Sequence, residues 1–271
     1  MSARYSQTAM LDRLYAKLTR DGESGGLEPL AESLFHSRGR LSVRVLAALL
    51  ERDPRFRVQD GRVFAIPPKT FSGECSLDSL EFAVLDFETN GFAPGERAIE
   101  LGIACFTRGK EVRTFETLLN PGTAVSPFVV RLTGIKPRQL RGMPCFEDVW
   151  PDVADILDGR LLVAHNLPFD RRILRNEVQH AGGDPRVGAG GLCTLKLARR
   201  LLPKDESKGL DALADRFGLS FQARHRALDD ARVTGKVLFR LLDMAAEHTP
   251  LATLGDLRSF LDNGSPARAR A

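Results

Sequence analysis

A chain of 271 residues with 43% hydrophobic and 27% charged residues is a folded globular protein, long enough for two domains, and not a disordered or fibrous one. No stretch is apolar for long enough to span a bilayer, and MSARYSQTAMLDRLYAK at the start lacks the apolar run of a signal peptide, so the reading is a cytoplasmic protein with no membrane partner. The net charge of +4 is uneven: residues 1–72 hold twelve Lys and Arg against eight Asp and Glu, and the remainder balances. A basic module beside a neutral one suits an anionic partner. Cys75, Cys105, Cys145 and Cys193 show no CxxC spacing and are too sparse for a disulfide scaffold, which argues for reduced thiols.

In chain order, Gln7 to Arg20 sets Met10, Leu11, Leu14 and Leu18 at helical spacing, and Gly22, Gly25 and Gly26 break the pattern. Leu27 to Ser37 reads as a second helix. Ser42 is placed to cap a third, with Val45, Leu46, Leu49 and Leu50 on its apolar face. FRVQDGRVFAI then alternates on both sides of Asp60-Gly61, a hairpin signature. Three helices and a hairpin make residues 1–68 a winged-helix-like module, and 69–80 a polar linker. From Glu81 the texture changes. Phe82 to Glu88, Ala98 to Phe106 and Glu111 to Leu119 read as three strands of a meander. Helices follow near Pro127 to Leu132 and at Phe146 to Leu157; Arg160 to Ala164 is a short buried strand. Pro168 to Ala181, Thr194 to Leu202, Leu210 to Phe217 and Ala227 to Ala246 are further helices. This α/β stretch, 81–248, predicts one sheet flanked by helices, followed over 249–271 by a short helix and a loose tail, NGSPARARA.

Three segments carry chemistry. In FAVLDFETNG, Asp86 and Glu88 lie two apart on a strand and therefore share a face. A D-x-E pair by itself is weak, since the strand can simply end there in solvent. In LLVAHNLPFD, a buried strand runs into His165 and Asn166, Pro168 opens a helix, and Asp170 shares a face with Ile173 and Leu174. The plain alternative is an acid stabilised by the helix dipole. In ARHRALDDARVTGKVLFRLL two acids compete. Asp230 shares a face with Val233, Val237 and Leu241, whereas Asp229 lines up with Arg232 and Lys236, the wet side. Asp230 is the candidate and Asp229 its solvated neighbour. His225, just before that helix, is suited to accept a proton near neutral pH. Inward acids of this kind supply oxygen ligands for Mg²⁺ or Mn²⁺, and the absence of Cys/His ligand pairs argues against zinc.

Taken together, the chain from about Glu81 to Ala246 resembles the DEDD exonucleases of the histidine subtype, the family of the proofreading epsilon subunit of bacterial DNA polymerase III. Its D-x-E-T-x-G motif is matched by Asp86, Glu88, Thr89 and Gly91. H-N-x-x-F-D is matched by His165, Asn166, Phe169 and Asp170, and H-x-A-x-x-D by His225, Ala227 and Asp230. LTGI at Leu132 to Ile135, CTLKLARRLLP and GLDALADRFGL are similar to the family's connecting segments. The resemblance implies a ribonuclease H-like fold, a mixed five-stranded sheet whose first three strands are antiparallel, with helices on both faces.

It also implies roles. Asp86, Glu88, Asp170 and Asp230 would hold two divalent ions, and His225 would take the proton of the attacking water, releasing 5′-mononucleotides from a 3′ end. Thr89, Asn90, Gly91, His165, Asn166 and Phe169 would seat the terminal nucleotide. Glu100, in the IELGI segment, has no assigned contact. The implied partner is a single-stranded or frayed 3′ end of DNA, in repair or replication, with a polymerase or repair protein alongside. Exoribonuclease trimming of RNA 3′ ends is the alternative, since nothing in the sequence reads a 2′-hydroxyl. A non-catalytic nucleic-acid-binding or assembly protein is the second. In the N-terminal module Arg38, Arg40, Arg44, Arg52, Arg55, Arg57 and Arg62 offer charge for phosphates. Val43 to Glu51 holds a single basic residue, however, which favours a structural or protein-docking role over base reading.

Overall fold

The computed structural model of the chain describes residues 2–20, 24–37, 39–66, 70–91 and 95–263. Gly22, Arg38, Pro67, Pro68 and residues 264–271 of the expected tail lie outside them. Two compact units result: residues 1–69 with 182–186, and residues 70–181 with 187–271. Among the described residues no helix is long and apolar enough to cross a membrane.

The first unit runs α1 (Ser2–Arg20), β1 (Ser24–Gly26), α2 (Leu27–Phe35), α3 (Arg40–Glu51), β2 (Phe56–Gln59) and β3 (Arg62–Ala65). Its antiparallel sheet has the order β1-β3-β2. The hairpin forms as expected, with both turn residues in the left-handed region, Asp60 at φ 50° and Gly61 at φ 68°, as a tight type I′ connection requires. Leu11, Leu14 and Leu18 from α1 meet Leu46 and Leu50 from α3 and Val63 from β3 in one core. Three expectations change. Ser42 lies inside α3, which Gly39 precedes. Val45 is 42% exposed, because Leu46 and Leu50, one turn apart, decide which face turns inward. Arg55, expected to be free for phosphates, is 5% exposed. Its guanidinium pairs with Asp12 at 2.5 Å and Asp53 at 2.6 Å.

In the second unit, residues expected to form a linker are tied down. Leu77 donates to Ala252, Leu254 to Cys75 and Gly255 to Gly73 at 3.0, 2.9 and 2.7 Å. Strands β4 (Glu81–Thr89), β5 (Ala98–Thr107) and β6 (Lys110–Leu118) form the meander. Next come α4 (Pro127–Thr133), α5 (Pro137–Leu140), α6 (Phe146–Leu157), β7 (Leu161–Ala164) and α7 (Leu167–His180). Then follow β8 (Leu192–Cys193), α8 (Thr194–Leu201), α9 (Leu210–Arg216), α10 (Ala227–His248) and α11 (Leu254–Asn263). The sheet order is β6-β5-β4-β7-β8, with β4, β7 and β8 parallel: the expected mixed five-stranded sheet.

Strand alternation divides the core into two layers. Phe82 and Val84 of β4 pack with α8, α9 and α10 on one face. Ala83, Leu85 and Phe87 pack with α6 and α7 on the other. The period of two that continues Phe82 and Val84 leads directly to Asp86 and Glu88, so both acids emerge on the α10 face at the carboxyl end of β4. That end of parallel strands is where α/β sheets bind ligands.

Candidate active site

Three elements deliver the acids. Asp86 and Glu88 come from β4, and the ladder with β5 shifts register between Glu88 and Thr89. Asp170 comes from the first turn of α7. It is 2% exposed, and its Oδ1 accepts the Phe87 backbone N–H at 3.3 Å, so it enters from the opposite layer under the strand. Asp230 comes from the first turn of α10, 3% exposed, on the same stripe as the buried Val233, Val237 and Leu241. Gly102 permits that approach. It pairs with Asp86 across β4 and β5, and a Cβ on it would lie 2.1 Å from the Leu228 backbone nitrogen.

His225 sits just before α10 in the left-handed region at φ 62°. Ligand atoms of Glu88, His225 and Asp230 all lie within 4.8 Å of one another, a set able to hold a metal ion. Among the described residues Asp230 Oδ1 is buried with no hydrogen-bond partner, which is costly for a carboxylate unless a cation meets it. Its Oδ2 pairs with Arg224, whose Nε also binds Asp211 at 2.5 Å. Oxygen donors with one imidazole fit Mg²⁺ or Mn²⁺.

The carboxylates disturb one another. Burial pushes Asp86 well above the usual range, and Asp170, Asp230 and Glu88 push the same way, against Arg224. Burial, with Asp230 and Glu100, raises Glu88 to about 8. Burial also raises Asp230 to about 7 despite the opposing pull of Arg224. Asp170 rises through burial although the Phe87 N–H resists. His225 is lowered by burial and by Arg224, which favours the neutral ring.

Folded-state values above the unfolded ones mean that the folded chain holds protons the unfolded chain releases, so the contribution is lost as pH rises through about 7 to 8. In EDTA the thermal midpoint should therefore fall between pH 6 and 9. Saturating Mg²⁺ or Mn²⁺ should raise it by about 3 °C or more at pH 9 and by less at pH 6. Differential scanning fluorimetry reads this directly; a metal effect equal at both pH values would reject a protonated acid cluster.

The expected nucleotide-seating residues divide. Thr89 is buried and donates to the Gly91 carbonyl at 2.8 Å, which shapes the turn after β4. Asn90 is engaged within the fold: its Nδ2 donates to Thr123 Oγ1 at 2.8 Å and its Oδ1 accepts from Arg97 N at 2.9 Å. Asn166 is exposed at φ 70°, and Phe169 is half-buried with the Arg172 guanidinium 5.2 Å from its ring centre. His165 Nδ1 lies 2.9 Å from Thr194 Oγ1, and burial lowers its pKa to about 4. Sequence reasoning missed Arg224, because an arginine beside a histidine carries no periodic signal. It also assigned Asp229 to solvent. Asp229 is 8% exposed, and its Oδ2 accepts the Ala223 N–H at 2.8 Å, because the loop before α10 folds back over it.

The RNase T family, described as an exonuclease family, matches residues 83–238 of this chain. DNA polymerase III PolC-type of Caldanaerobacter subterraneus subsp. tengcongensis is 34% identical over 193 residues, covering 71% of this chain and 13% of that protein. The 3′-5′ exonuclease DinG of Bacillus subtilis is 31% identical over 184 residues, covering 67% of this chain and 20% of that protein. The chain thus spans a small part of the length of these relatives. Among solved structures, Exonuclease X in complex with 5′ overhanging duplex DNA aligns with a TM-score of 0.52 and 27% identity, covering 66% of this chain and 98% of that one. The fold, the acid cluster and these matches agree: the chain belongs to the RNase T family, a family of exonucleases.

Proposed function

We propose that the chain is a 3′-to-5′ exonuclease that shortens DNA by two-metal-ion catalysis and releases 5′-mononucleotides, in repair or replication proofreading. The observation that carries this reading is the acid cluster, in which a buried Asp230 oxygen beside Glu88 and His225 has no hydrogen-bond partner among the described residues. Asp86, Glu88, Asp170 and Asp230 would hold two Mg²⁺ or Mn²⁺ ions. Once bound, such ions activate a water and neutralise charge on the leaving 3′ oxygen. The neutral His225 ring accepts the proton of the attacking water. The turn formed by Thr89, Asn90 and Gly91, with Phe169, seats the terminal nucleotide, the half-exposed ring offering a stacking surface for a base. His165 and Asn166 sit at the mouth of α7 and support that seat.

DNA is favoured because one relative is named a DNA polymerase and the Exonuclease X structure contains DNA. The N-terminal unit has the element order of a winged helix, helix-strand-helix-helix-hairpin. We read it as a docking module for a polymerase or repair protein, since Arg55 is consumed internally and α3 turns Leu41 and Val45 to solvent. The deciding experiment is digestion of matched 3′-labelled DNA and RNA strands with Mg²⁺ or Mn²⁺, with Asp86→Ala as control. Release of mononucleotides from the DNA 3′ end, abolished in Asp86→Ala, is expected. Preferential digestion of RNA would replace the substrate, a fully active Asp86→Ala would overturn the metal site, and no digestion of either strand would point to a binding protein.

A further inference from the structure

We infer that Glu100, on β5, is a positioning residue for the reaction, clamping the arm that carries His225; this rests on His225 acting as the base. Glu100 is fully buried, directly across the ladder from Glu88. Its Oε1 accepts from Arg226 Nε at 2.8 Å and Nη2 at 2.6 Å, and its Oε2 accepts the Ala227 backbone N–H at 3.0 Å. Arg226, the residue before α10, makes no side-chain cap of its own. A sheet carboxylate therefore satisfies a free N–H at the start of the helix, a task usually left to the preceding residue.

The arm is held at its other end too, where Asp229 accepts the Ala223 N–H at 2.8 Å. Between these anchors His225 keeps a left-handed backbone at φ 62°, which a non-glycine residue holds only when its surroundings impose it. Arg226 also reaches Glu116 at 3.3 Å, so the guanidinium spans β5 and β6. Arg226 pairs with Glu100 and offsets part of the negative charge that Glu100 places beside Glu88. An apolar pair would fill the same volume, yet it would leave the Ala227 N–H unpaired and the arm free to relax.

The test is a double-mutant cycle on the full chain with Mg²⁺, using Glu100→Ala, His225→Ala and the double variant under single-turnover conditions, with amide hydrogen exchange over residues 223–227. Glu100→Ala should lower kcat by about 10- to 100-fold with KM within about twofold. In the His225→Ala background the same change should cost less than about threefold, because the clamp acts through His225. Exchange at Ala223 to Ala227 should accelerate. Additive losses, or an unchanged kcat in Glu100→Ala, would overturn the clamp. If His225→Ala itself kept full activity, the proposed base would fail instead, and unchanged exchange in Glu100→Ala would then separately reject the clamp. Should Glu100→Ala not fold, Glu100→Gln, of equal volume, carries the same cycle with smaller expected losses, since its one carbonyl oxygen replaces two acceptors.

Discussion

Asp230→Asn is expected to lower kcat by about 10³-fold or more, while Asp229→Asn stays within about threefold of the parent. The two acids are neighbours in sequence and both are buried, so burial alone does not separate them. Their partners do. Among the described residues one buried Asp230 oxygen has no hydrogen-bond partner, and it lies with Glu88 and His225, the arrangement on which its proposed cation role rests. Asp229 uses Oδ2 to accept a backbone N–H from Ala223, a role that the carbonyl of an asparagine can fill. Asp229→Leu removes that acceptor and should cost activity where Asp229→Asn does not. The thermal midpoint of Asp230→Asn should stay within about 3 °C of the parent in EDTA below pH 7, because the amide matches the neutral form that the buried acid keeps up to about that pH. Equal losses in Asp229→Asn and Asp230→Asn would show that the metal role had been assigned to the wrong acid.

Gly102→Ala should lower kcat by about 10²-fold and destabilise the second unit by about 1–3 kcal/mol. The added methyl would meet the Leu228 nitrogen at 2.1 Å, the Ala227 carbonyl carbon at 2.2 Å and the Leu228 Cα at 2.4 Å. All three are backbone atoms, so no rotamer change relieves the clash and the start of α10 must move. That turn carries Asp230 and follows His225, whereas Asp86 opposite Gly102 stays on the sheet. The acids on the two elements would thus be pulled apart. Gly235→Ala is the control. Its methyl meets the Phe106 ring at 2.2 Å, further along the same helix and away from the acids. It should lower the thermal midpoint yet leave kcat of the folded fraction within about threefold. Comparable kcat losses in both variants would mean that helix packing in general, and not the close approach at Gly102, limits activity.

Much of this site was legible because it rests on short-range periodicity. The spacing of two between Asp86 and Glu88 put them on one face of β4, and the structure shows that this is the face Phe82 and Val84 pack toward α10. The stripe through Val233, Val237 and Leu241 chose Asp230, and Ile173 with Leu174 turned Asp170 inward. The strands, the hairpin and most helices followed for the same reason, since each buries one face of a local repeat.

What the sequence by itself determined is therefore the family motif, the elements and the inward direction of the four acids. Only the tertiary structure decided the groups whose roles depend on distant chain returning to them. The three residues of β1 and the two of β8 become strands through ladder partners far along the chain, and too few residues are involved to show alternation. Asp229 sits on the polar side of α10, and the fold covers that side with the loop from Ala223. Arg224 acquires its place by meeting Asp211 and Asp230 together. Glu100 resembles any strand acid until α10 lands on β5 at Gly102 and brings Arg226 and the Ala227 N–H to it. The four acids were named by periodicity; the arm that aims His225 at them was built by long-range contacts, which leave no local repeat to read.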